Sequence, residues 1–380
     1  MERMERACCA WFQKIPSLGA KTLFALQEVF GTMEELYKAG EAQYSFYLNR
    51  RQLAAVREAG RGISPLAYLE QIEEQGIRYI PFSDDIFPWK LKQIPDPPFG
   101  LFVKGALPSG KRPCVAMIGA RACSPYGRQV AMEFGKALAL SGVDIISGMA
   151  RGIDGISQRA CLDAGGNTYG VLGCGVDICY PKEYKDLYDN MIKQGGVLSA
   201  YAPGMPPLST NFPPRNRIIS GLSDVILVIE ARRKSGTLIT VDMALEQGRE
   251  VAIIPGRITD ELSKGCHALI SQGATVIVET EQLLELLHTH YALQKASELE
   301  DFEKNRRKNI KNAVSENIYL NHVAKSIAGI MSNEPVEAEV IYQKWIENKN
   351  SGSFSNFMEG LMDLELLDLC ESNKNRYWIR

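Results

Sequence analysis

The sequence predicts an α/β protein built on a doubly wound, mostly parallel sheet, with a helical region before it and a smaller unit after it. Two observations carry this. Between residues 110 and 280, most of the short β-rich runs are continuous Val/Ile/Leu-rich stretches rather than in/out alternations, which suits strands covered by helices on both faces. These runs alternate with longer segments of helical pattern, as crossover connections require. A length of 380 residues leaves room for two or three folding units. With 45% hydrophobic and 23% charged residues, whole-chain disorder, collagen and coiled coil are excluded.

Residues 1–70 read as a helical domain. Its turn Ile15-Pro16-Ser17-Leu18-Gly19-Ala20, followed by Leu23, Leu26, Val29 and Phe30, resembles a small helical DNA-associated module of the SAM or helix-hairpin-helix kind, with an ordinary helical bundle as the other reading. Residues 76 to 107 are extended and Pro-rich, an N-terminal addition to the same sheet. The expected strands are Val115 to Gly119, Asp144 to Gly148, Thr168 to Gly173, Val197 to Tyr201, Asp224 to Glu230, Glu250 to Gly256 and Ala274 to Glu279. They define a Rossmann-like domain over 71–291. A highly charged run from Ala292 to Asn312 marks a linker at 292–316. In 317–380, helices at Ile327 to Met331, Val336 to Trp345 and Ser353 to Leu367 and a hairpin at Leu369 to Ile379 suggest a winged-helix domain. A protein-contact module is the other reading, because Phe354, Met358, Met362 and Leu366 lie in a segment with few cations to meet phosphate.

The chemistry concentrates in the loops that follow the strands. After Val115-Ala116-Met117-Ile118 come Gly119-Ala120-Arg121, then Ser124 as an N-cap and Pro125 at the first helical position. This is either an anion site at a helix N-terminus or a tight turn. Gly148-Met149-Ala150-Arg151-Gly152 repeats the arrangement, and Gly173-Cys174-Gly175 leads to Tyr180-Pro181-Lys182, where Pro181 opens the next helix. Phe212-Pro213-Pro214-Arg215-Asn216-Arg217 places two arginines in a first turn, where acids are favoured. Arg232-Arg233-Lys234 precedes a Ser235-Gly236-Thr237 helix start. Five loops thus bring cations to the sheet edge where open α/β sheets bind ligands.

The whole chain is nearly neutral, with 43 Lys+Arg against 45 Asp+Glu, so only this local placement points to a polyanion. No phosphate-loop motif is present, and Ile178 stands where a dinucleotide loop starting at Gly173 needs its third glycine. The nine cysteines show no Cys-x-x-Cys pairing and read as small buried hydrophobes of a reducing compartment. His267, His288, His290 and His322 all follow the basic loops and form no metal or triad grouping. Asp154, Asp177 and Glu230 are expected to cap helices, fix loops or pair with arginines rather than serve as general bases. No catalytic residue, metal or cofactor is expected. The N-terminus lacks a signal-like apolar run and no stretch suits a membrane span, so the expected location is cytoplasmic, without a membrane partner.

Six motifs in order resemble the DNA-processing protein A (DprA/Smf) family: Gly119-Ala120-Arg121 with Ser124-Pro125-Tyr126-Gly127; Ser147-Gly148-Met149-Ala150-Arg151-Gly152-Ile153-Asp154; Gly173-Cys174-Gly175-Val176-Asp177 with Tyr180-Pro181-Lys182; Arg215-Asn216-Arg217 through Ser223; Ser235-Gly236-Thr237 through Thr240; and Pro255-Gly256. The resemblance covers essentially residues 10 to 380. It implies a non-enzymatic bacterial protein that binds and protects single-stranded DNA in natural transformation and helps load the RecA recombinase. It places DNA contacts at Arg121 and Lys182. With the loop reading, the DNA-binding set becomes Gly119, Arg121, Ser124, Gly148, Arg151, Gly152, Lys182, Arg215, Asn216, Arg217, Lys234, Ser235, Gly236 and Thr237, with Tyr126 and Tyr180 either stacking a base or packing. It also implies a homodimer through the segment Gly265 to Val276, with His267, Ile270 and Val276 as interface candidates. Two departures are Ala200, where the family usually has glutamate, and Gly265-Cys266-His267 in place of a common Gly-Thr-Asn. The competing reading is a Rossmann-type, nucleotide-binding phosphoribohydrolase-like enzyme, whose loops hold one phosphate. Against it stand the number of cations and Lys234-Ser235-Gly236-Thr237 in place of that family's Pro-Gly-Gly-x-Gly-Thr loop.

Overall fold

Each of the seven apolar runs contributes a strand, six of them buried between helical layers and the last, β9, a partly exposed edge. The strands are β3 (Cys114–Ile118), β4 (Asp144–Ser147), β5 (Thr168–Val171), β6 (Gly195–Ser199), β7 (Val225–Val228), β8 (Glu250–Ile253) and β9 (Thr275–Val276), all parallel to one another where they pair. The Pro-rich segment before them supplies β1 (Arg78–Pro81) and β2 (Gly100–Gly105), which add to β6 in antiparallel sense. The computed structural model describes residues 1–287, 322–331, 336–348, 353–366, 370–373 and 376–379. They belong to two units, Met1–Tyr291 and Ala292–Arg380. The charged run 292–312 and His288 and His290 lie outside the described residues.

The nine-stranded sheet has the order β1-β2-β6-β5-β4-β3-β7-β8-β9. The chain runs outward from β3 through β4 and β5 to β6, then returns to the other side of β3 as β7. The switch point therefore lies between β3 and β7, where the loops leaving the strands diverge and open a crevice at their carboxyl ends. One apolar cluster holds Ile118, Ile218, Val228 and Ile253, and another holds Met117, Phe134, Leu138 and Leu227, so alternate side chains of β3 and β7 enter different layers.

The helices before residue 75 share a core with the sheet. Trp11, Phe12, Leu23 and Leu69 are buried in the same cluster as Tyr79, Phe102 and Val197. Gln13 fastens the two parts by donating to the carbonyls of Gly100 (2.9 Å) and Ala200 (2.8 Å) and accepting from the Tyr79 hydroxyl at 2.7 Å. Ala200, the departure from the family pattern, thus contributes a backbone acceptor. A buried ion pair that the sequence did not announce, Lys90 to Asp224 at 2.6 Å, ties the helix Trp89–Lys92 to the start of β7. The second Asp224 oxygen accepts from the Cys114 amide at 2.8 Å.

In the second unit, helices His322–Ala328, Ala338–Glu347 and Phe354–Leu366 accompany a three-stranded antiparallel sheet of β10 (Val336–Glu337), β11 (Cys370–Asn373) and β12 (Arg376–Ile379), in the order β10-β12-β11. The first helix ends at Ala328 rather than spanning Ile327 to Met331, and Val336 and Glu337 are strand rather than helix. Ile327, Trp345, Phe357 and Leu361 fill its core. Lys374 and Asn375, expected at the hairpin tip, lie outside the described residues.

Candidate nucleic-acid interface

A cavity of about 670 Å³ occupies the switch point. Gly119 and Arg121 after β3, and Arg232, Ser235, Gly236 and Thr237 after β7, line it, together with Arg215 and Asn216 from the helix Phe212–Leu222. A smaller recess of about 40 Å³ shares Arg121, Tyr180, Phe212 and Arg215 with it and adds Gly148 and Arg151. Ser124, Gly152, Lys182, Arg217 and Lys234 line neither.

Arg215 is the floor rather than a surface ligand. It is 4% exposed, and its guanidinium donates to the carbonyls of Gly148 (3.0 Å) and Val171. Burial lowers its pKa to about 10, opposed by the nearby Asp154 carboxylate. Asp154 is itself buried and accepts from the Gly148 amide at 3.0 Å. Burial raises its pKa, against the opposing pull of Arg215 and of the Gly148 and Ala150 amides. The pair locks the β4 loop, which accounts for Arg215 in a helix's first turn without an external anion. Asp177 has the loop-fixing role expected of it, accepting from the Gly204 amide at 3.0 Å.

Two of the helix N-termini at this edge differ. At Ser124 the site is already filled: Glu230, 3% exposed, accepts from the Ser124 amide at 2.9 Å and also bonds its hydroxyl, while that hydroxyl caps the helix Pro125–Leu140 through Gly127 at 3.1 Å. The anion expected there is the protein's own carboxylate, which corrects Ser124 as a ligand residue. The helix Gly236–Glu246 is open. Its N-cap Ser235 makes no capping bond, the Ser235 hydroxyl is buried without a partner, and Thr237 donates to the Gly119 carbonyl at 3.3 Å.

The cations divide similarly. Arg121 is exposed, and its guanidinium stands 5.7 Å from the centre of the Phe212 ring; it has no ion pair among the described residues. Lys182, Arg232, Arg233 and Lys234 are exposed on the same rim loops. Lys182 lies in a 3-10 turn, Lys182–Tyr184, rather than in the α-helix, which begins at Lys185. Arg151 pairs with Glu183. Arg217 turns away from the cavity, donating to the carbonyls of Asp96 (2.7 Å) and Pro214 (2.6 Å) with the Asp96 carboxylate 3.3 Å off. Its place in the basic edge is therefore corrected, since its charge is spent on the extended segment before β2. Of the two tyrosines, Tyr126 is anchored to the Pro255 carbonyl at 2.8 Å, while Tyr180 lines the cavity with its ring 5.7 Å from Phe212. Phe212, touched by both Arg121 and Arg215, is the functional candidate that charge-based reading missed.

Toward the far edge of the sheet, Leu269 is buried in the core, Ile270 is half-buried against it, and Val276 is 40% exposed on the edge strand. His267 shares a hydrogen bond with the Gly256 carbonyl at 3.0 Å. All nine cysteines are free, and all but Cys123 and Cys179 are buried. Among the described residues no helix is long and apolar enough to cross a membrane.

Against known proteins, the family model described as DNA recombination-mediator protein A matches residues 78–288. The chain is 46% identical over 201 residues to the DNA processing protein DprA of Streptococcus pneumoniae, covering 53% of this chain and 71% of that protein. It is 44% identical over 225 residues to protein Smf of Escherichia coli, covering 59% of each. The crystal structure of the Streptococcus pneumoniae DprA superposes with a TM-score of 0.64 at 37% identity, over 72% of this chain and 95% of that one. A structure of DNA processing protein A from Helicobacter pylori, described for its single-stranded DNA binding mode, matches with a TM-score of 0.51 at 28% identity, over 56% of this chain and 97% of that one.

Proposed function

We propose a function from the premise that the chain belongs to the DNA recombination-mediator protein A family. The protein binds single-stranded DNA at the switch-point cavity, without catalysing a reaction, and delivers the strand to the RecA recombinase in the cytoplasm during transformation or recombination. The observation that carries this is the pair of exposed cations Arg121 and Arg232 at one cavity, with Arg233 and Lys234 next along the same loop, none of them in an ion pair among the described residues, in a nearly neutral chain. The backbone follows the rim, the open amides at Ser235 to Thr237 take a phosphate, and a base lies against Tyr180 and Phe212. Binding of labelled poly-dT, compared with a duplex of equal length across a salt series, tests it; equal affinity for both would overturn the single-strand preference.

Arg121 and Lys182 are the positions to remove. Alanine at either should weaken poly-dT binding and lower the log–log salt slope by about 0.7 for each phosphate no longer neutralised. Unchanged affinity and slope in both folded variants would take these residues out of the site. Incubation with nucleoside monophosphates, ATP or DNA is expected to give no turnover. Steady release of free base and ribose phosphate would favour the phosphoribohydrolase reading instead.

We also assign a homodimer, in which two cavities in one particle hold the same strand. Exposed Val276 on the edge strand, half-buried Ile270 and His267 form the candidate contact. Ile270→Glu should give a folded monomer with weaker DNA binding. Loss of folding would place Ile270 in the core, and a wild type that sediments as a monomer at tens of micromolar would end the dimer assignment. For the second unit, three helices with a three-stranded sheet support a winged-helix reading. Its last helix, Phe354–Leu366, contains Glu359, Asp363 and Glu365 and no cation, which suits a protein partner rather than DNA.

A further inference from the structure

Outside the cavity, the helical part of the first unit carries a second group of cations whose placement is unfavourable in the free protein. Helices Ala20–Phe30 and Arg50–Gly60 begin side by side, because the Gln52 side chain reaches the Ser17 carbonyl at 3.3 Å and the Thr22 hydroxyl at 3.5 Å. Neither first turn contains an acid, and between them they hold Lys21, Arg50 and Arg51, all exposed. Each helix end already presents partial positive charge, so three more cations there oppose both macrodipoles. The N-cap of the first helix is Gly19, which offers no side chain to its free amides. Later in the second helix the pattern is ordinary: Arg57 pairs with Glu41 and Arg61 with Glu58. Lys21, Arg50 and Arg51 have no carboxylate partner among the described residues.

Directly before Arg50 the chain leaves two aromatic rings in solvent. Phe46 is 87% exposed and Tyr47 is 54% exposed, the Tyr47 and Phe30 rings lying at 78° to each other with centres 5.8 Å apart. A large aromatic so fully exposed has no packing role. Unpaired cations at two helix N-termini beside free aromatic faces match the chemistry of a strand with phosphates and unstacked bases.

Resting on the single-strand reading above, we infer that this corner is a second contact for the same strand: Lys21, Arg50 and Arg51 meet phosphates, and Phe46 and Tyr47 stack bases. The strand then engages the first unit at two places, and a long strand gains over a short one by more than the number of equivalent registers.

Fluorescence anisotropy on the full chain tests this, using labelled oligo-dT of about 6 and about 30 nucleotides, lengths bracketing one single-strand site. The variants are Arg50→Gln/Arg51→Gln and Phe46→Ala, all at exposed positions, with Arg121→Ala as the cavity control. The double glutamine variant should bind the short strand as the wild type does, and bind the long one at least tenfold more weakly with a slope reduced by about 1.4, two phosphates at 0.7 each. Phe46→Ala should weaken long-strand binding by about 5- to 150-fold, the loss of one stacked base. Unchanged long-strand affinity in both variants overturns the inference, as does an equal loss at both lengths. A loss confined to a duplex of the same length overturns it too, since the corner then reads double-stranded DNA. Short-strand binding that Arg121→Ala removes shows that the cavity reading stands whatever the corner does; wild type binding neither length is the failure of that reading instead.

Discussion

Replacing Arg215 by methionine is expected to lower stability by about 3–5 kcal/mol, because it leaves the buried Asp154 carboxylate without the opposite charge near it and strands two carbonyls. Arg215 and Asp154 flank Gly148 closely: a Cβ on Gly148 would lie 2.8 Å from Arg215 Nη2 and 2.8 Å from Asp154 Oδ2. Without the guanidinium, the Gly148 and Val171 carbonyls also lose their donor. The effect depends on pH in a defined sense. Burial already raises the Asp154 pKa in the folded state, and removing Arg215 raises it further. A carboxyl raised on folding favours the fold below its unfolded pKa, and that advantage is lost as pH rises through the folded pKa. The destabilisation by Arg215→Met should therefore be larger at pH 8 than at pH 5, and Asp154→Asn in the same background should recover part of it. Urea melts of the three proteins at both pH values measure this. A loss under about 1 kcal/mol that does not vary with pH, together with weaker DNA binding, would return Arg215 to the surface as a ligand.

What the sequence made legible was local. Continuous apolar runs announced the buried parallel strands, and Ser124 followed by Pro125 announced a helix start, because in both cases the information lies within a few residues. The cations were visible as well, but not their commitments. Arg217 meets Asp96, 121 positions earlier. Glu230 reaches Ser124 across 106 positions. Lys90 finds Asp224 134 positions on. Nothing in a residue's neighbourhood announces such pairs, so a count of basic residues per loop overstates the free charge: Arg215 and Arg217 are spent internally and Arg151 pairs with Glu183 at the surface, while Arg121, Lys182 and Arg232 to Lys234 have no ion pair among the described residues. The first helix of the second unit departs from expectation for a related reason. Ala324, Ile327 and Ala328 face the core, whereas the residues after Gly329 in the expected segment, Ile330 and Met331, only pack against it in part.

Gly152, a ligand candidate by sequence, matters more as a spacer, and Gly152→Ala is expected to be the most damaging single-methyl change at this edge. Gly152 has φ +76, a conformation that side chains rarely adopt, and a Cβ there would fall 2.1 Å from the Ala120 carbonyl oxygen and 2.5 Å from that of Arg121. Both obstacles are backbone and cannot swing aside. The close approach is where the β4 loop closes on the β3 loop, with the Ile153 amide donating to the Ala120 carbonyl at 3.3 Å. A methyl group must therefore push the Arg121 loop outward, so stability and single-strand affinity should fall together. Gly165→Ala is the comparison without the clash: Gly165 has φ +79 with no atom within 4 Å of an added Cβ, whereas Gly152 combines φ +76 with ψ −133, a region nearly closed to any side chain. That variant carries only the cost of a positive φ, about 1–2 kcal/mol, and should bind DNA as the wild type does. Gly152→Ala should cost at least about 3 kcal/mol, its own larger backbone cost plus that of forcing two packed loops apart. If both variants melt alike and bind poly-dT alike, the loops are not interlocked at Gly152, and the position of Arg121 does not depend on the close approach that glycine permits.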